Sequence, residues 1–132
     1  MLLCVLALAP AVLTAWLHPR RPDWVQLRHP VAELPLAEVR QRFPDALWVD
    51  ARKAADYARD HVSGAVLLNE DAWDEQLGGF VEAWRPGQGV VVYCDSAGCG
   101  ASRLVAERLR RELGVDDVVV LQGGWAGWRP AR

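Results

Sequence analysis

At 132 residues, with 52% of them apolar, the chain is the size of one domain and carries enough apolar side chain for one packed core. Its formal net charge of −2 excludes the basic field expected of a nucleic-acid binder. Its 3 cysteines are too few for a disulfide framework, no Cys/His spacing fits a zinc or other metal site, and no cofactor motif is visible.

The chain opens on an uncharged run, Leu2 to Leu17. As a helix its sixteen residues would reach about 24 Å, somewhat short of a bilayer core of about 30 Å. Pro10 would bend it. The run is too apolar for a surface helix and lacks the basic flank of a secretory signal. Residues 1–17 therefore read as a single-pass membrane anchor, with a signal peptide or a buried helix as alternatives. Arg20, Arg21 and Arg28 follow the run, which favours a cytoplasmic domain by the positive-inside rule. Residues 18–35 form a linker interrupted by four prolines. The linker either places Arg20, Arg21 and Trp24 at headgroup level or lies on the domain as an extended strap.

Residues 36–132 read as the folded domain. Leu36, Val39 and Phe43 predict a short helix, and Ala46 to Val49 a strand buried on both faces and ending at Asp50. A helical piece at Ala54 to Arg59 and a strand at Ala65 to Leu68 follow. From Asp71 to Trp84 a helical period sets Trp73, Leu77, Phe80 or Val81, and Trp84 on one side. Gly78 and Gly79 within it, each costing about 1 kcal/mol against Ala, predict a split. Gly89 to Tyr93 is a third strand. Ser102 to Leu113 is the strongest helix, with Leu104, Val105, Leu109 and Leu113 inward and Gly114 closing it. Arg108, Arg110 and Arg111 lie beside Glu107 and Glu112 as a solvated face of mixed sign. Val118 to Leu121 is a fourth strand, and Gly123-Gly124 turns into Trp125 to Trp128. Strands alternating with helices predict an α/β fold, a central parallel sheet flanked by helices on both faces.

In such sheets ligands bind beyond the carboxyl ends of the strands. The segment there is Cys94, Asp95, Ser96, Ala97, Gly98, Cys99, Gly100, Ala101, Ser102. Small residues running into a helix N-terminus turn backbone N–H groups inward and favour an anion. A cysteine at the start of the loop should be depressed in pKa and ready for covalent catalysis. That reading requires the Cys94 thiol to be ionised and open to solvent.

The chain resembles the rhodanese homology domain, in a membrane-anchored, bacterial-type single-domain form. The resemblance rests on five segments as a set: WVDAR (48–52), YARDHVSGAVLLN (57–69), VVVYC (90–94), SRLVAERL (102–109) and VVVLQGGWAGW (118–128). It implies a parallel sheet flanked by helices and a Cys94 that carries transferred sulfur as a persulfide. It places Asp50 and Arg52 at the brace of the active-site rim and His61 and Gly64 at a structural turn. Gly123, Gly124 and Trp125 fall at the closing turn, with Trp125 in the core. The sulfur source would be a small sulfur-containing anion or a protein persulfide.

Two features depart from the family pattern. Seven residues separate Cys94 from Ser102, about two more than usual, and the loop contains no cation. Asp95 stands beside the nucleophile instead, and the nearest guanidinium is Arg103, directed either to the pocket or to solvent. A doubly charged donor such as thiosulfate would be held less well. The longer loop also brings Cys99, either a small loop residue or a resolving thiol that takes sulfur off Cys94 as sulfide and leaves a disulfide. Besides a sulfurtransferase, a thiol–disulfide or sulfur-sensing module on Cys94 and Cys99, and a non-catalytic membrane-tethered binding domain, fit the sequence. A Cys-x5-Arg phosphatase does not, because the first arginine comes nine residues after Cys94.

Overall fold

The computed structural model describes residues 29–96 and 99–129. The anchor reading of 1–17, most of the linker, and loop residues Ala97 and Gly98 lie outside the described residues. Among the described residues no helix is long and apolar enough to cross a membrane. The chain divides into Met1–Pro30 and Val31–Arg132, and the second unit carries the fold.

Five strands form one parallel sheet: β1 Glu33–Leu34, β2 Leu47–Asp50, β3 Val66–Leu67, β4 Val90–Tyr93 and β5 Val118–Leu121, in the order β1-β5-β4-β2-β3. Helices α1 (Leu36–Arg42), α2 (Ala54–Arg59), α3 (Trp73–Ala83), α4 (Gly100–Leu113) and α5 (Gly124–Trp128) connect or follow them. The unbroken valine runs explain why β4 and β5 lie inside: every residue of both is buried. Side chains alternate across the pleat, so successive valines feed two cores. Val90, Val92, Val118 and Val120 join Trp73 and Phe80 of α3 and Val105, Ala106 and Leu109 of α4. Val91, Tyr93, Val119 and Leu121 join Val39 of α1 and the partly buried Trp125 and Trp128 of α5.

Four expectations are corrected. The linker ends earlier than residue 35, because Val31 and Leu34 are buried and β1 pairs with β5. The extended-strap alternative describes this stretch better, and its prolines flank the strand without interrupting it. Helix α3 is not split at Gly78 and Gly79, since Trp73 and Phe80 on either side of the glycines are anchored in the core. Helix α4 starts at Gly100, two residues before Ser102, and no side chain caps it. Ser102 is buried and its hydroxyl donates to the Cys99 carbonyl at 3.5 Å. Finally, Leu104 is 55% exposed. The buried stripe of α4 runs through Val105, Ala106 and Leu109, which turns the preceding leucine outward. Gly114 does close the helix, at φ 68° in the left-handed region.

Candidate active site

The site lies where β2 and β4, adjacent and in register, run out at Asp50 and Tyr93. The Ala51 amide still donates to the Tyr93 carbonyl at 2.8 Å, so the two chain ends leave the sheet together.

Asp50 is fully buried and cannot stand there as a charge without partners. Arg52 supplies a two-pronged pair, Nε to Oδ1 at 3.0 Å and the terminal nitrogen to Oδ2 at 2.8 Å, and the Arg52 amide adds a bond to Oδ1 at 2.9 Å. The Tyr93 hydroxyl donates to Oδ2 at 2.7 Å and accepts from the Val62 amide at 3.1 Å. Arg52 also donates to the Asp60 carbonyl at 2.6 Å and lies over the Trp125 ring, 4.4 Å from its centre. Asn69 donates from its side-chain amide to the Arg52 carbonyl at 2.9 Å. Burial works against the Arg52 charge, but the bonded Asp50 carboxylate outweighs it, and the guanidinium is held above its ordinary pKa. Burial pushes the Tyr93 phenol well above its usual 10.0, with the Asp50 carboxylate acting in the same direction. Among the described residues no buried side-chain nitrogen or oxygen lacks a partner.

The Cys94 loop is held from the opposite side by α5. The Trp125 amide donates to the Cys94 carbonyl at 2.6 Å, and the Ala126 amide to the Asp95 carbonyl at 3.3 Å. This approach needs Gly124, which has φ +55° and whose missing Cβ would collide with the Cys94 carbonyl oxygen. The closing glycine turn thus supports the loop that carries the cysteine.

Cys94 is joined to Cys99 by a disulfide, with their Cα atoms 6.3 Å apart. Cys94 is only 3% exposed, whereas Cys99, at the N-cap of α4, is half-buried. The solvent-open thiol expected at Cys94 is therefore absent from this oxidised form. The Cys99 amide is taken by the Ser96 carbonyl at 3.3 Å. A cleft of about 100 Å³ lies beside Cys99, lined by Glu33, Ser96, Gly100, Ser102 and Arg103. Arg103 pairs with Glu33 at 3.3 Å, both half exposed, so its guanidinium belongs to the wall of this cleft. Asp95 and Ser96 are exposed and Ala101 is half-buried. His61 holds the Tyr57 carbonyl through Nδ1 at 2.8 Å and stacks on the Tyr57 ring, a structural role. Among the described residues no three His, Cys, Asp or Glu side chains are grouped to hold a metal.

Sequence reasoning missed Tyr93 and Glu33. A tyrosine closing an otherwise all-valine strand was the available signal for the first. Glu33 lay in the segment read as linker and had none.

The family model of the Rhodanese-like domain matches residues 35–131. Comparison with curated proteins returns no match. Among solved structures, the BH2092 protein of Bacillus halodurans is similar at 21% identity and a TM-score of 0.57, over 70% of this chain and 67% of that one. A rhodanese-related protein of Thermoplasma volcanium is similar at 13% identity and a TM-score of 0.53, over 74% and 89% of the two chains. The human single-domain sulfurtransferase TSTD1 is similar at 18% identity and a TM-score of 0.52, over 75% and 94%. At these identities the structures bear on the fold alone.

Proposed function

Since the chain belongs to the Rhodanese-like domain family, which includes sulfurtransferases, we propose that it moves sulfane sulfur through a persulfide on Cys94. The observation that carries this reading is the position of Cys94. It directly follows the central strand β4, where ligands of parallel sheets bind, and its carbonyl is fixed by the Trp125 amide. The reduced form is the transferring one, because a thiol engaged in a disulfide offers no nucleophile. In that form the Cys94 thiolate attacks the outer sulfur of a sulfane donor, the donor's S–S bond breaks, and its remaining group leaves with the electron pair. The Asp50–Arg52–Tyr93 network keeps the ends of β2 and β4 in place through the cycle.

Incubating the reduced Cys99→Ser protein with polysulfide or thiosulfate should add about 32 Da to Cys94, and nothing should be added once Cys94→Ser is introduced, by peptide mass spectrometry under non-reducing conditions. Cys99→Ser is the background of choice, since it keeps any persulfide from a second thiol. Equal labelling of Cys94→Ser would overturn the assignment.

A second reading is favoured by the disulfide itself: a thiol–disulfide module that needs no sulfur donor. It predicts a reversible two-electron couple in buffer alone and no mass gain with any donor. The uncharged run Leu2–Leu17 supports a membrane-attached form for either reading.

A further inference from the structure

We propose that Cys99 is a second catalytic cysteine, which resolves the Cys94 persulfide and then receives the reductant. Its first role rests on the transfer reading above; its second does not.

The two cysteines are close enough to bond and do so. When Cys94 carries sulfane sulfur as Cys94–S–SH, the Cys99 thiolate reaches the Cys94 sulfur. The new Cys94–Cys99 bond forms, the bond to the outer sulfur breaks, and HS⁻ leaves. The outer sulfur is reduced to sulfide and the two thiols are oxidised to the disulfide, so atoms and electrons balance. The product is the oxidised form that the structure displays. The protein then acts as a sulfane-sulfur reductase, with no thiol acceptor in the releasing step.

The disulfide must be reopened by an external dithiol, and its two sulfurs are not equally placed. In the disulfide-bonded form Cys94 is only 3% exposed, and the α5 turn holds its carbonyl. Cys99 is more open and contributes to the cleft beside Glu33, Ser96, Ser102 and Arg103, which Cys94 does not line. A volume of about 100 Å³ admits a single thiol-bearing side chain, not a folded surface. An incoming thiolate therefore attacks the Cys99 sulfur, the disulfide breaks, and Cys94 leaves as the thiolate required for the next donor. The second thiolate of the reductant then attacks its own sulfur in the mixed disulfide, which frees Cys99 and leaves the reductant oxidised. The partner is a dithiol protein of the kind that presents a nucleophilic cysteine on a protruding tip.

Two measurements on the full chain test this. In the first, reduced protein is given thiosulfate without any other thiol, and sulfide release and intact mass are followed. Wild type should release sulfide, lose about 2 Da as the disulfide forms, and hold no added sulfur. Cys99→Ser, with Cys99→Ala as a second variant, should keep about 32 Da on Cys94 and release no sulfide. Wild type that keeps its persulfide beside a free Cys99, or variants that release sulfide as fast, would overturn the resolving role. Failure of the Cys99 variants to take sulfur from either thiosulfate or polysulfide would instead overturn the transfer reading and the resolving role with it.

In the second, the oxidised wild type meets a dithiol reductant whose second cysteine is replaced by serine. The trapped mixed disulfide should map to Cys99 by fragment mass spectrometry, with Cys94 alkylated as the free thiol. Trapping on Cys94 would overturn the entry route, whatever the first measurement gives.

Discussion

Two neighbouring strands of this sheet end in opposite ways. Strand β2 runs into a buried carboxylate gripped by a guanidinium, a phenol and a backbone amide. Strand β4 runs into a cysteine held by one sulfur–sulfur bond and one hydrogen bond from α5, with a second from α5 to the neighbouring Asp95 carbonyl. The first end is fixed by many partners, none of which reacts at neutral pH. The second is fixed largely by a bond that a thiol can break. Parallel strands in one register thus divide the labour: one end keeps the geometry and the other changes state.

The largest stability effect should come from breaking the fixed end. Arg52→Met leaves the Asp50 carboxylate buried beside an apolar stem, and urea denaturation should show a loss of about 3–5 kcal/mol. Opening the other end should cost less. Reducing the disulfide releases a loop of six residues, worth roughly 2 kcal/mol by chain entropy, and the denaturation midpoints of the oxidised and reduced forms give the figure. A reduction penalty larger than that of Arg52→Met would reverse the contrast.

Gly124→Ala joins the two halves of the comparison, because it strains a left-handed backbone and pushes on the Cys94 carbonyl. It should lose about 1–2 kcal/mol of stability and slow sulfur uptake by Cys94, measured by thermal unfolding and by mass labelling. Tyr93 sharpens the same contrast through pH. Its phenol is raised in the fold, so its contribution is complete below about 10, the value of the unfolded chain, and is lost progressively as pH climbs toward the folded value. Stability measured from pH 9 upward should therefore fall, and this component of the fall should be missing from Tyr93→Phe. The smallest change belongs to Leu104→Gln, on the exposed side of α4, which should move stability by no more than about 0.5 kcal/mol.

The parallel sheet was legible because valine runs without alternation permit little else, and helix α4 because its apolar period is long. Asp50 and Cys94 were found by their places at strand ends, and Arg52 through the family resemblance of the segment 48–52. What escaped was set by partners distant in sequence. Tyr93 becomes a hydrogen-bonding group only against Asp50 and Val62, forty-three and thirty-one positions away, and Glu33 only against Arg103. Leu104 was misplaced because it stands next to Val105, and packing against the sheet, not the apolar period, decides which of two adjacent apolar residues faces inward. Local pattern could not say whether Cys99 reaches Cys94, since that depends on how the intervening loop folds back.

Strand β1 has a further consequence for handling the molecule. Leu34 of β1 and Ala32 just before it take up outward amides along β5, with Val120 donating to the Ala32 carbonyl at 2.9 Å and Gln122, just past β5, to the Leu34 carbonyl at 2.8 Å. A chain trimmed to begin at Leu36 would leave both donors bare along an apolar rim. Bare rims of that kind recruit strands from other molecules. The short stretch ahead of α1 is in this sense a guard against polymerisation, and expression boundaries drawn at Val31 or earlier preserve it.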